Sequence, residues 1–167
     1  MAETRRMIPI LASLLFFGVV ATPPDIQKHP SCGICGMDRE AFGYSRVLVT
    51  YDDGASFGTC SLRCAAIDMI SHLDKTPVAI SVGDYRTRAL LDADRAIWII
   101  GGSESGVMTD RAKWAFASEK EALAFRSEKG GALSGFDEAM TAAFTDLYAE
   151  IKSSRERGRD RRRGAAS

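Results

Sequence analysis

The chain has 167 residues, is 46% hydrophobic, and balances 22 Lys and Arg against 22 Asp and Glu. That size supports one ordinary hydrophobic core, and the zero net charge argues against a global field that would steer it onto nucleic acid. What distinguishes the composition is where its sulfur lies.

Arg5 and Arg6 precede an apolar run from Met7 to Ala21, and Val19-Val20-Ala21 offers small-residue cleavage chemistry ahead of Pro23-Pro24. A run of about 15 residues is short for a spanning helix. Residues 1–21 therefore read as a signal peptide, with a membrane anchor as the alternative. Either expectation places the remainder in the periplasm. No cysteine directly follows the run, so a lipoprotein acylation pattern is absent. Residues 22–31 read as a Pro-containing linker, and residues 32–152 as a single metal-binding α+β domain.

The first feature of that domain is Cys32-Gly-Ile-Cys35-Gly-Met37. A Cys-x-x-Cys followed by glycine predicts a knuckle, a turn that aims two sulfurs at one point. Met37 adds a thioether at the same corner. Ser45 to Tyr51 has the β-branched and aromatic content of a strand, Asp52-Asp53-Gly54 is a hairpin signal, and Ala55 to Gly58 is the return strand. From Cys60 the period becomes helical, through Leu62, Ala65, Ala66, Met69, Ile70 and Leu73. Cys60 thus stands at a helix entrance and Cys64 one turn inside, facing the knuckle.

Val78–Val82, Tyr85–Leu91 and Ala96–Ile100 read as further strands. Gly101 to Gly106 reads as a loop, and it lacks the Gly-Lys-Ser/Thr ending of a phosphate loop. Val107-Met108-Thr109 follows, then a strand over Lys113–Ala117. Ser118-Glu-Lys-Glu121 is a capping box that opens a helix ending at Gly130-Gly131. Strand, cap and helix therefore occur twice, at Ser61 and Ser118, the second time without cysteines. A last amphipathic helix spans roughly 136–151. Residues 153–167 hold six arginines without apolar periodicity and are expected to be a disordered basic tail, with membrane or acidic-partner attraction as the alternative.

Thiolate with thioether favours Cu(I), whereas thiolates alone suit zinc. Structural disulfides are the competing use of these cysteines in an exported chain. However, a Cys32–Cys35 bridge would close too small a loop to gain much, and the spacing of Cys60 and Cys64 already follows a helix, while a cross-bridge, Cys32–Cys60 or Cys35–Cys64, stays open. Met108, taken alone, is a core filler. His29 reads as an exposed linker residue, and His72 lies too far along its helix to share a site with Cys64. Thiol–disulfide exchange has thin support, because the Cys-x-x-Cys does not itself open a helix.

At Cys35-Gly36-Met37, with Gly106-Val107-Met108-Thr109, Phe116-Ala117-Ser118 and Gly130-Gly131, the chain resembles the NosL family over roughly residues 30–135. These are exported accessory proteins of nitrous-oxide reductase maturation. The resemblance implies an α+β fold of two similar halves, related to the organomercurial-lyase core. It also implies Cu(I) binding without turnover and delivery to a copper-receiving enzyme or its maturation complex. By position it implies Cys35, Met37 and Met108 as ligands. Cys32, Cys60 and Cys64 add thiolates that a Cys-Met-Met site does not need, so a four-cysteine zinc protein acting as an interaction module stays open. An organomercurial-lyase-like or oxidoreductase thiol enzyme is the third reading.

Overall fold

A computed structural model describes residues 22–165. The expected signal segment lies outside them. Two antiparallel sheets repeat one topology. In the first half, β1 (Val47–Tyr51) and β2 (Ser56–Thr59) form a hairpin, α2 (Leu62–Ser71) follows, and β3 (Pro77–Gly83) returns on the far side of β1. In the second half, β5 (Ile97–Gly106) and β6 (Thr109–Phe116) form the hairpin, α3 (Glu119–Lys129) follows, and β7 (Ala132–Ser134) returns beside β5. The sheet orders are β2-β1-β3-β4 and β6-β5-β7, where β4 (Leu90–Asp92) is a short addition to the first sheet. The two predicted halves are thus present, each with its hairpin's first strand in the middle.

Both helices start as their sequences predict. Ser61 accepts from the Cys64 backbone N–H, and Ser118 accepts from that of Glu121. The Ser118 cap is completed by its contact with the Glu121 carboxylate at 3.0 Å. In the first copy the corresponding position is Cys64, so a thiol replaces the acid of the capping box.

The main core joins the halves. Val47, Val49, Val82, Ala65 and Ala66 pack with Trp98 and Ala115, and the long α4 (Phe136–Gly164) closes over them with Ala139, Ala143 and Leu147. Burying such side chains stabilises by about 1.5–3 kcal/mol for each large one. Between the sheets, Tyr85 N–H donates to the Ala115 carbonyl at 2.8 Å, and the fully buried Asp84 accepts from Ala117 N–H and from the backbone N–H and hydroxyl of Thr87.

Four expectations are corrected. Residues 22–31 are not a free linker: Pro24–Lys28 form the short helix α1, whose Asp25 is drawn into the fold by Arg39 and Arg46. Tyr85–Leu91 is mostly turn, with Arg88 at φ 61°, and only Leu90–Asp92 pairs as a strand. The glycine-rich 101–106 segment is not a loop but a bulged continuation of β5, its register shifting between Ile100 and Ser105. Gly101 and Gly102, at φ 79° and 101°, make that shift without a side-chain clash. Finally, the Arg-rich segment is helical to Gly164. Propagating an existing helix costs far less than nucleating one, and Arg is a good helix former.

Candidate metal centre

The two cysteine pairs come from segments that are separated in sequence and are held together by one buried arginine. Arg39 is fully buried. Its guanidinium donates to the Thr59 carbonyl at 3.1 Å, to the carbonyls of Asp25 and His29 at 2.9 and 2.6 Å, and to Val47 O at 3.1 Å. Thr59 directly precedes Cys60, and His29 leads into the knuckle. Asp25 supplies the countercharge, 3.0 Å from Arg39 and 2.8 Å from Arg46. Burial alone would raise its carboxyl pKa, but the two guanidinium groups more than offset this and hold it below the ordinary value.

The knuckle itself is closed by backbone. Cys32 N–H donates to Met37 O at 2.8 Å, and Gly36 N–H to Cys32 O at 2.9 Å, with Gly36 at φ 77°. Gly33 lies flat on the Phe57 ring, where a Cβ would stand 2.3 Å from Cζ. On the other side, the Ser45 hydroxyl donates to Cys60 O at 2.8 Å, fixing the helix entrance.

The result is one cluster. All four Sγ atoms of Cys32, Cys35, Cys60 and Cys64 lie within 4.8 Å of one another. Cys35 is 3.4 Å from Cys60, Cys60 is 3.8 Å from Cys64, and Cys64 is 3.9 Å from Cys35. All four are free thiols. Cys32, Cys60 and Cys64 are buried, while Cys35 is only half-buried beside the exposed Ile34. An ion about 2.3 Å from each sulfur of a tetrahedron needs sulfurs roughly 3.8 Å apart, so the spacing fits a soft cation with little movement.

Electrostatics prepare the cluster for a cation. The Cys32 thiol is held far below its ordinary range, chiefly by hydrogen bonds from Cys60 and Cys64, with backbone help from Cys35 and Ile34 against burial. Hydrogen bonding to Cys32 pushes Cys64 up to about 12, aided by burial and opposed by its contact with Cys60, and Cys60 is raised by Cys32, Cys64 and burial. One thiolate is therefore shared by its neighbours' S–H groups. The N-terminus of α2 points its partial positive charge at the same place. The helix terminus that the Cys-x-x-Cys lacks in sequence is thus supplied by the second pair. Arg63 adds a fixed cation: it is paired to Glu150, and the Cys64 sulfur further raises its pKa.

The two methionines differ. Met37 is partly buried and packs against the cluster that contains Cys32, Cys60 and Cys64. Met108 is outside that packing, 41% exposed, at φ 61° in the turn from β5 to β6, although its neighbour Val107 belongs to the cluster. Neither histidine joins the thiols. His29 Nε2 is 3.0 Å from Ser56 Oγ, and His72 Nδ1 is 3.0 Å from the buried Asp68 carboxylate. Sequence reasoning missed Arg39, Arg63 and Ser45. Of these, only Arg63 carried a local signal, through its place beside Cys64.

The NosL family model matches residues 23–144. Among solved structures, the chain is similar to the crystal structure of the copper chaperone NosL from Shewanella denitrificans. The TM-score is 0.54 and the identity 22%, and the match covers 70% of this chain and 96% of that one. No curated protein sequence matches.

Proposed function

The chain belongs to the NosL family, and on that premise we propose that it is a copper(I) carrier working outside the cytoplasm, not an enzyme. The observation that carries this reading is the convergence of four free sulfurs with only one of them, Cys35, facing outward. Soft sulfur donors select Cu(I), and the half-buried Cys35 gives the cargo an exit. Cys32, Cys60 and Cys64 hold the ion from inside. Met37 supplies a thioether at the rim. Met108, kept outward in a sparsely populated backbone region, is the ligand that meets the ion during exchange. Such strain persists where the surrounding fold enforces it.

Release then proceeds by ligand substitution at the outer face. A donor from the receiving protein displaces Cys35 or a thioether, and Arg63 and the α2 terminus stabilise the remaining thiolate charge. The receiving protein is a copper enzyme, or the machinery that matures it, with nitrous-oxide reductase as the family's expectation. Anaerobic titration against a chromophoric Cu(I) chelator tests the reading. One tightly held Cu(I) per chain is expected, with Zn(II) bound far more weakly. Zinc bound more tightly than copper would overturn it.

A second reading is favoured by one specific observation. The sulfur spacings suit a closed tetrahedral four-thiolate zinc site. In that case the metal would be structural, and its removal would unfold the domain.

A further inference from the structure

Among the described residues, helix α4 leaves one face without a partner. At about 100° per residue, Phe144, Tyr148, Ile151, Arg155, Arg159 and Arg162 fall on a single stripe. Tyr148 is 67% exposed and Ile151 58%. Lys152 and Arg163 border the same stripe, which occupies an arc of roughly 120°. Between residues 141 and 163 no Asp or Glu falls on it: Asp146 and Glu150 point elsewhere, to Arg111 and Lys113 and to Arg63. Glu156 and Asp160 flank the stripe on one side, about 20° and 60° beyond Arg163. None of the five cations is in an ion pair among the described residues, and the small Ser154 and Gly158 leave a hollow between Arg155, Arg159 and Arg162.

This arrangement opposes helix stability. Arg155 with Arg159, and Arg159 with Arg162 and Arg163, set like charges at helical spacing, which disfavours the helix. A stripe that begins apolar and aromatic and ends cationic matches one surface chemistry. Rings and aliphatic groups settle at the headgroup boundary while guanidinium groups pair with phosphates. A second copy of the same stripe offers no carboxylates to these arginines, so self-association does not satisfy it.

We propose that this face of α4 docks the protein on an anionic phospholipid surface, with Phe144, Tyr148 and Ile151 at the acyl boundary and Arg155, Arg159 and Arg162 on lipid phosphates. The proposal is independent of which metal the thiols hold. The test is sedimentation of the full chain with vesicles of phosphatidylcholine containing about one-third phosphatidylglycerol, against pure phosphatidylcholine. Because the full chain keeps its apolar first residues, only differences between full-length variants count.

Arg155→Ala with Arg159→Ala and Arg162→Ala is expected to weaken binding to the anionic vesicles by about 100-fold. Tyr148→Ser with Ile151→Ser should also weaken it, and added salt should do the same to the wild type. All these positions are solvent-facing, so every variant should keep a cooperative thermal transition. Tyr148→Trp gives an independent readout, a blue shift of its emission on anionic vesicles only. No loss in either multiple variant, or an equal loss on both vesicle types, would overturn the proposal. So would equally tight binding to soluble polyaspartate, which would assign the face to an acidic protein. A dimer in solution that is broken by Tyr148→Ser would assign it to a second copy.

Discussion

Cys35 Sγ stands 3.4 Å from Cys60 Sγ, closer than Cys60 stands to Cys64, its partner in sequence, at 3.8 Å. That contact joins the two motifs, one at the surface and one at the mouth of α2. The site is a product of tertiary structure, with neither motif complete alone.

Ligand removal should divide by metal. Cys35→Ser is expected to lower Cu(I) affinity by more than the roughly 10–100-fold that loss of an outer-shell partner costs. Cys60→Ser with Cys64→Ser should damage Zn(II) binding more than Cu(I) binding, because Cys32, Cys35 and Met37 remain as a soft set. Parallel competition titrations with both metals check this. Equal losses of copper and zinc in the double variant would count against the carrier reading.

Met37→Leu isolates the thioether. The swap keeps volume, so it should cost under about 1.5 kcal/mol of stability. Cu(I) binding should weaken while any Zn(II) binding stays nearly unchanged. If both fall together with the thermal midpoint, Met37 is a packing residue and not a ligand.

Much of this was legible in local sequence. The hairpin at Asp52-Asp53-Gly54, the caps at Ser61 and Ser118 and the double-glycine stop after α3 each act over a few residues, and each stands where its chemistry predicts. The pairing of knuckle and helix entrance was also readable, because Cys60 and Cys64 share the helix period. What escaped depends on distant partners. Nothing near Pro24 shows that Asp25 will meet Arg39 and Arg46, so α1 looked like a linker. Nothing in the Arg-rich segment shows that packed turns of α4 upstream will carry the helix through it.

The apo protein should stay folded. The larger core cluster, built on Val47, Val49, Trp98 and α4, contains no cysteine. Reduced, metal-free protein should therefore melt cooperatively, and Cu(I) should raise the midpoint. At a free ion concentration about 100 times its Kd, mass action contributes about 2.7 kcal/mol. Collapse of the circular dichroism signal on chelation, restored by zinc and not by copper, would establish the structural zinc site instead.

Acid should weaken the tie between α1 and the knuckle. The Asp25 carboxyl is depressed in the folded state, so its contribution is fully present above its unfolded value of about 3.9. It is lost as pH falls through the lower, folded value. Asp25→Asn removes the countercharge from two buried guanidinium groups and should cost about 3–5 kcal/mol at neutral pH. The variant should also lose the Asp25 share of the acid dependence, while the depressed Asp146 keeps its own. A variant melting like the wild type would show that the Arg39 carbonyl contacts suffice alone.

Tyr85 N–H, bound to Ala115 O at 2.8 Å, is a backbone bridge between the two sheets, beside the contact of Ala117 N–H with the Asp84 carboxylate at 3.0 Å. Any breathing of one half against the other must break this bond before the ladders on either side. Its amide is therefore a natural clock for inter-sheet opening. Hydrogen–deuterium exchange at Tyr85, read against the central strands β1 and β5, would time how often the two halves part and whether loading the thiols slows them.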